Sequence, residues 1–254
     1  FFRRYLWLAG MTGTAQEVAA ELWHVYRLAT VTIPTNRPLQ RHWAGERLFA
    51  TADEKWEATV ERIAGLHQRG RPVLVGTRSV AASELLSEKL KAAGIPHVIL
   101  NARQDKDEAD IVSKAGQPGR VTVATNMAGR GTDIKLLAEV AKAGGLHVLA
   151  TERHEAGRID RQLYGRGGRQ GDPGSFETVA SLEDDLLTTS RRLLWRWMAR
   201  ALVRRGQPLQ GTLAAFLVRQ AQRSAESLHV RIRRDLLQHE DQLETSLAFS
   251  GRLE

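Results

Sequence analysis

No cysteine occurs among the 254 residues. Disulfides and thiolate chemistry are therefore excluded, and a reducing, cytosolic setting fits. No apolar run approaches the roughly 20 residues that span a bilayer. The opening Phe1-Phe2-Arg3-Arg4-Tyr5-Leu6 has no initiator methionine and does not resemble a signal peptide, so the chain reads as a piece of a longer protein. No low-complexity tract interrupts a composition of 42% hydrophobic and 26% charged residues, which suffices for one or two globular domains. The most informative absence is chemical. No G-x-x-x-x-G-K-[ST] loop occurs anywhere, and the sole acidic candidate for a metal-holding box, Asp53-Glu54, does not follow a buried strand. The chain can complete a nucleotide site, but it is not expected to build one.

What the chain does have is arginine beside glycine. The net charge is +8, which favours polyanionic partners or simply marks a solvated basic surface. One segment, Val121 to Ile134, contains Gly129-Arg130-Gly131-Thr132-Asp133 after a strand-like run. Glycine on both sides lets backbone approach a ligand closely, and Arg130 can present an always-charged fork to phosphate. Asp133 can pair with Arg130 or with an arginine of the second segment; a structural Arg–Asp pair at a strand end is the alternative reading. The second segment carries Arg158, Arg161, Gln162, Arg166 and Arg169, the last two flanked by Gly165, Gly167, Gly168 and Gly171. So much glycine is poor helix chemistry and good phosphate-approach chemistry. It is equally open to a basic turn that binds nucleic-acid phosphates or nothing.

Periodicity predicts a helix from Thr14, as its cap, to about Leu28, and a short extended run at 31–33 stopped by Pro34 and Pro38. Helices are expected over 53–69, 80–93, 106–114 and 155–163, and strands over 73–77, 97–100, 121–124, 146–150 and 176–181. This alternation implies an α/β fold, a parallel sheet covered on both faces. Ligands of such sheets sit at the carboxyl ends of strands, where both arginine segments are expected. Beyond Leu182 two helices are expected, over 185–204 and 210–246, with Arg205-Gly206-Gln207-Pro208 between them. The first pairs Leu193, Leu194, Trp197, Met198, Ala201 and Leu202 with Arg192, Arg196, Arg200 and Arg204; it can rest on anionic lipid or pack against a scaffold. His147 and His154 lack a second ligand at metal spacing, so no metal site is expected.

Several segments together resemble the SecA preprotein-translocase ATPase family: Met11-Thr12-Gly13-Thr14, Ile33-Pro34-Thr35-Asn36-Arg37-Pro38, Ala124-Thr125-Asn126-Met127-Ala128-Gly129-Arg130-Gly131-Thr132-Asp133, Gly145-Leu146-His147-Val148 and Thr151-Glu152-Arg153-His154-Glu155. The resemblance covers about 1–187 in order and, more weakly, 215–245. It implies the tail of a first motor domain over 1–30, a second RecA-like (P-loop NTPase-type) motor domain over 31–183 and a helical scaffold segment over 184–254. It further implies that ATP or ADP with Mg2+ is shared with the first motor domain. Arg166 and Arg169 are then the arginine fingers. Gly129, Arg130, Asp133, Arg158 and Gln162 are the nucleotide-gating and coupling set. The implied partners are that first motor domain, a preprotein or other polypeptide, and a membrane translocation channel, with anionic lipid as a further candidate; nucleic acid is not expected. The implied location is cytoplasmic, at the periphery of the inner membrane.

The chain departs from the family pattern at Tyr164 and Gly157, where arginines are usual, and at Gly167, where serine is usual. These changes suggest a paralogue. A nucleic-acid helicase or remodeller shares the two-domain engine and is the rival reading. A scaffold that kept the fold and lost the motor is the third.

Overall fold

Alternating side chains on the strands decide the layering. In the computed structural model, which describes residues 2–100, 108–125, 132–189 and 193–250, the chain opens with two 3₁₀ turns, Phe2–Arg4 and Ala15–Val18, and α1 (Ala19–Tyr26). There follow β1 (Gln40–Phe49), α2 (Ala52–Gln68), β2 (Val73–Thr77), α3 (Val80–Ala92), β3 (Val98–Leu100), α4 (Glu108–Ser113) and β4 (Val121–Thr125). Then come α5 (Ala138–Lys142), β5 (Leu146–Ala150), α6 (Gly157–Tyr164), β6 (Pro173–Ser181), α7 (Asp185–Thr188), α8 (Leu193–Leu202), β7 (Leu209–Gln210) and α9 (Gly211–Ser250). The sheet order is β3-β4-β2-β5-β6-β1-β7, parallel throughout except for β7 against β1.

On β2, Val73 and Val75 point to one face and Leu74 to the other, as period-2 pleating requires. The first face packs with Trp56, Ile63 and Leu66 of α2 and Leu86 and Leu90 of α3. Leu74, Val148 and Ala150 face the other layer, made by Val112 of α4, Ile134, and Leu163 and Tyr164 of α6. Near the β1 edge that same layer continues as α7, α8 and α9, with Leu48 and Ala180 under Ala199, Val203, Leu217 and Val218. Thus α6 and α9 lie on one face of the sheet. Local chemistry starts the helices of the first layer: Thr51 Oγ1 accepts from Glu54 N at 3.3 Å, and Ser79 Oγ from Ala82 N at 3.1 Å.

Three differences from the sequence expectation matter. The extended run at 31–33 forms no strand; the strand lies at Gln40–Phe49. Its outer half is exposed and polar, and Gly45 at φ +122° takes up a register shift against β6, so no hydrophobic alternation announces it. Thr14 makes no side-chain cap; its hydroxyl instead accepts from Gln162. Finally, the expected helix over 185–204 is two helices, and the short α5 and β7 went unpredicted. No helix among the described residues is long and apolar enough to cross a membrane.

Candidate functional site

The second arginine segment is built by α6 and the turn after it. Leu163 and Tyr164 bury the last turn of the helix against the sheet, while Arg158 and Arg161 stay exposed. Gly167 and Gly168 then seat the chain on the first residues of β5, β6 and β1. A Cβ on Gly167 would lie 3.3 Å from the carbonyl oxygen of Leu146, and one on Gly168, at φ +65°, 2.6 Å from Arg41 Cβ. These two glycines therefore serve close packing under the turn, where the sequence suggested phosphate approach. They also refine the expected location. A crossover helix returns the chain to the amino edge of a parallel sheet, so the turn bearing Arg166 and Arg169 starts over the amino ends of β5 and β6, while the cleft they line reaches Leu100 and Thr125, the last residues of β3 and β4.

Two arginines hold this turn from β1 and the approach to it. Arg41 Nη1 donates to Tyr164 O at 2.9 Å and Gly167 O at 3.1 Å, with its guanidinium 5.7 Å from the Phe176 ring centroid. Arg37 Nη1 donates to Gln170 O at 3.3 Å. Half-burial lowers the Arg41 pKa below its ordinary value. Arg41 was missed from sequence, because the strand that carries it was missed.

Both expected fingers converge on the end of the first segment. Arg169 Nη1 pairs with Asp133 Oδ1 at 2.8 Å, and Arg169 Nε donates to Gly165 O at 3.1 Å. Arg166 Nη1 donates to Thr132 O at 3.3 Å. Of the two partners open to Asp133, the described one is thus Arg169. The pair is half-exposed, at 38% and 47% of side-chain surface, so it contributes only about 0–1 kcal/mol and can be exchanged for another anion at little cost. Arg166, Arg169, Arg161, Gln162 and Arg41 line a cleft of about 440 Å³, closed below by Leu74, Leu100 and Ala124. Gly13 and Thr14 close one side, and Gln162 Nε2 reaches Thr14 Oγ1 at 3.3 Å. Arg161 pairs with Glu17. Arg158 is on α6 but outside this cleft, and Gly129 and Arg130 lie outside the described residues.

Behind the cleft is a buried polar network centred on Asp160, in which His154 Nε2 has no hydrogen-bond partner among the described residues. Asp160 of α6, almost fully buried, accepts from His154 N at 3.0 Å, His154 Nδ1 at 2.6 Å, Arg153 Nη1 at 3.3 Å and Gln222 Nε2 at 2.7 Å. Arg153 also grips Glu46 of β1 with two bonds, at 2.6 and 3.1 Å. Tyr164 is core: its hydroxyl meets Thr178 Oγ1 at 2.7 Å, its ring stacks on Phe176 at 4.4 Å, and burial pushes its phenol well above the ordinary range. His147 is equally internal, placed between Ser175 Oγ at 2.7 Å and Glu177 Oε1 at 3.0 Å. Among the described residues no group of three His, Cys, Asp or Glu side chains could hold a metal ion.

A mostly parallel seven-stranded sheet with helices on both faces and a helical extension defines a RecA-like fold of the P-loop type. The SecA P-loop domain model matches residues 38–141 and 136–201. The chain is 53% identical to protein translocase subunit SecA 2 of Nitrosospira multiformis over 253 residues, 99% of this chain and 38% of that protein. It is 52% identical to SecA 2 of Bordetella avium over 252 residues, with the same shares. It is 51% identical to protein translocase subunit SecA of Porphyromonas gingivalis over 242 residues, 95% of this chain and 22% of that protein. Among solved structures, the DEAD-box protein SrmB of E. coli, bound to regulator of ribonuclease activity A, aligns with a TM-score of 0.46 and 22% identity over 60% of this chain and 83% of that one. A likeness at that level carries no argument about function. The chain belongs to the SecA family, and it spans between 22% and 38% of the length of these relatives.

Proposed function

We propose that this chain supplies the arginine half of an ATP site shared with a first motor domain of the same protein, and that the complete protein couples ATP hydrolysis to movement of a polypeptide through a membrane channel. The observation that carries the reading is the convergence of Arg166 and Arg169 on Thr132–Asp133 at the rim of an open cleft, with Asp133 holding Arg169 only weakly. ATP supplies the phosphoryl group that passes to water. Arg169 leaves Asp133 for the β/γ-phosphates, and Arg166 joins it. Two such guanidinium groups stabilise developing charge; one arginine finger gives ~10³–10⁵ in rate, or roughly 4–7 kcal/mol of barrier. Gly129, Arg130, Asp133, Arg158 and Gln162 form the set that reports occupancy. Mg2+ would be held with the nucleotide by the first motor domain; among the described residues no His, Cys, Asp or Glu cluster fits it.

The membrane side of the reading has support in charge. The forty residues 186–225 contain eight arginines and no acidic residue, matching the chain's whole excess of +8. On α8, Trp197 is 71% exposed and Arg200 is exposed, and Arg204 and Arg205 just past the helix are exposed as well. That surface suits the anionic headgroups of an inner membrane on its cytoplasmic side.

In the complete protein, Arg169→Ala should lower ATP turnover by at least ~10²-fold with little change in nucleotide affinity. Unchanged turnover would make Arg169 a structural residue and remove the reading.

A further inference from the structure

The amino end of α6 is held by a different helix. Ala156, its cap position, makes no side-chain hydrogen bond to the helix. The first free amide, Gly157 N, instead donates to Glu226 Oε1 of α9 at 2.6 Å. One turn earlier on α9, Gln222 Nε2 donates to Asp160 Oδ2 at 2.7 Å and to His154 O at 2.8 Å, and it is buried. One turn later, His229 Nε2 meets Glu155 Oε2 at 2.8 Å. Residues 222, 226 and 229 share one helix face, so a single stripe of α9 grips the start of α6 and the loop before it.

The opposite end of α6 runs straight into the arginine turn. Gly165 N donates to Arg161 O at 2.8 Å and Arg166 N to Leu163 O at 3.0 Å, so the helix passes into the turn with its bonds intact. The eight residues of α6 measure about 12 Å at 1.5 Å per residue. A helix this short behaves as one rigid piece. We propose that Gln222 and Glu226 are positioning residues for Arg166 and Arg169: α9 fixes the amino end of α6, and the two arginines at its other end take their place from that grip.

The two ends of α6 are held from different elements: Arg41 of β1 donates to Tyr164 O at the carboxyl end, and α9 holds the amino end. Asp160 is bound from β1 only through Arg153, whereas α9 contacts both the free amide and the carboxylate of α6. A shift of α9 along the sheet is therefore delivered to α6 directly, and a shift of the arginines is delivered back to α9. Neither Gln222 nor Glu226 lines the arginine cleft, so neither can touch nucleotide there.

The inference rests on the half-site reading, and its test is a double-mutant cycle in the complete protein. Glu226→Ala removes the acceptor; Glu226→Gln keeps an oxygen in its place. Displacing a catalytic group by about 1 Å can cost roughly 10² in rate, so Glu226→Ala should lower kcat about tenfold with KM for ATP changed less than about twofold. Glu226→Gln should recover most of that loss. In an Arg169→Ala background, Glu226→Ala should cost little more, because the group it positions is already gone. Multiplying losses in the double variant, or a Glu226→Ala protein that melts earlier but turns over normally, would overturn the inference while leaving Arg169 its role. If Arg169→Ala alone leaves turnover unchanged, the half-site reading fails instead. Should Glu226→Ala not fold, Gln222→Leu, which deletes both donations to the α6 side, enters the same cycle with the same expected result.

Discussion

Arg41→Ala tests whether the arginine turn is held from β1. Arg41 Nη1 gives the carbonyls of Tyr164 and Gly167 a charged donor at 2.9 and 3.1 Å. Hydrogen bonds to charged groups are worth about 1.5–3 kcal/mol each, but these two share one nitrogen and are half-buried, so water recovers part of the loss; the net cost should be about 2–3 kcal/mol. For a chain of this size that corresponds to a fall in Tm of roughly 4–12 °C. Urea unfolding of the chain, followed by circular dichroism, gives the free energy. Arg37→Ala is the internal control. Its single exposed bond to Gln170 O, at 3.3 Å, should be worth less than about 0.5 kcal/mol. If Arg41→Ala falls within about 0.5 kcal/mol of the parent, the turn is held by the glycine packing alone and the reasoning about Arg41 is wrong.

Two further predictions concern the body of the fold. Burial works to raise the Glu177 pKa, but the hydrogen bond from His147, and Arg62 at 2.7 Å, outweigh it and hold the carboxyl at about 2. A depressed carboxylate contributes stability that is present above its ordinary value of 4.5 and lost as pH falls toward 2, here on the order of 3 kcal/mol. Glu177→Gln should therefore flatten the loss of stability between pH 4.5 and 2 in a pH series of urea melts, and an unchanged slope would contradict the assignment. Leu217→Ala, at a fully buried position where α9 meets the sheet, should cost about 2–5 kcal/mol in the same assay. A negligible cost would mean that α9 does not pack as described.

Most of the sheet was legible because its signals are local. Val73–Thr77 is a continuous buried run between helices with 3–4 residue spacing, and Trp56, Thr59, Ile63 and Leu66 mark one face of α2 without any tertiary information. β1 was illegible because pairing with β6, not composition, makes Gln40–Phe49 a strand. Arg41 vanished from the candidate site with it. The residues Asp133, Arg166 and Arg169 were readable as a set, and the structure brings them together. Their place on the sheet was legible only in part. The rule that ligands gather at strand carboxyl ends fits the cleft, which reaches Leu100 and Thr125, while the return path of the crossover helix starts the turn bearing Arg166 and Arg169 over the amino ends of β5 and β6. The role of the glycines was also misjudged: Gly167 and Gly168 look like phosphate-approach residues in sequence and act as backbone spacers against Leu146 and Arg41. Tyr164 and Gly157 looked like lost arginines. In the fold one is a core aromatic, and the other offers its amide to Glu226.

The central claim is that this chain holds the arginines of an ATP site but no cradle for the phosphates. The most direct measurement is steady-state hydrolysis of Mg-ATP by the chain alone, by phosphate release against a buffer blank. The account predicts no turnover above background. Robust turnover that Arg169→Ala abolishes would show a complete catalytic site within these residues and contradict it.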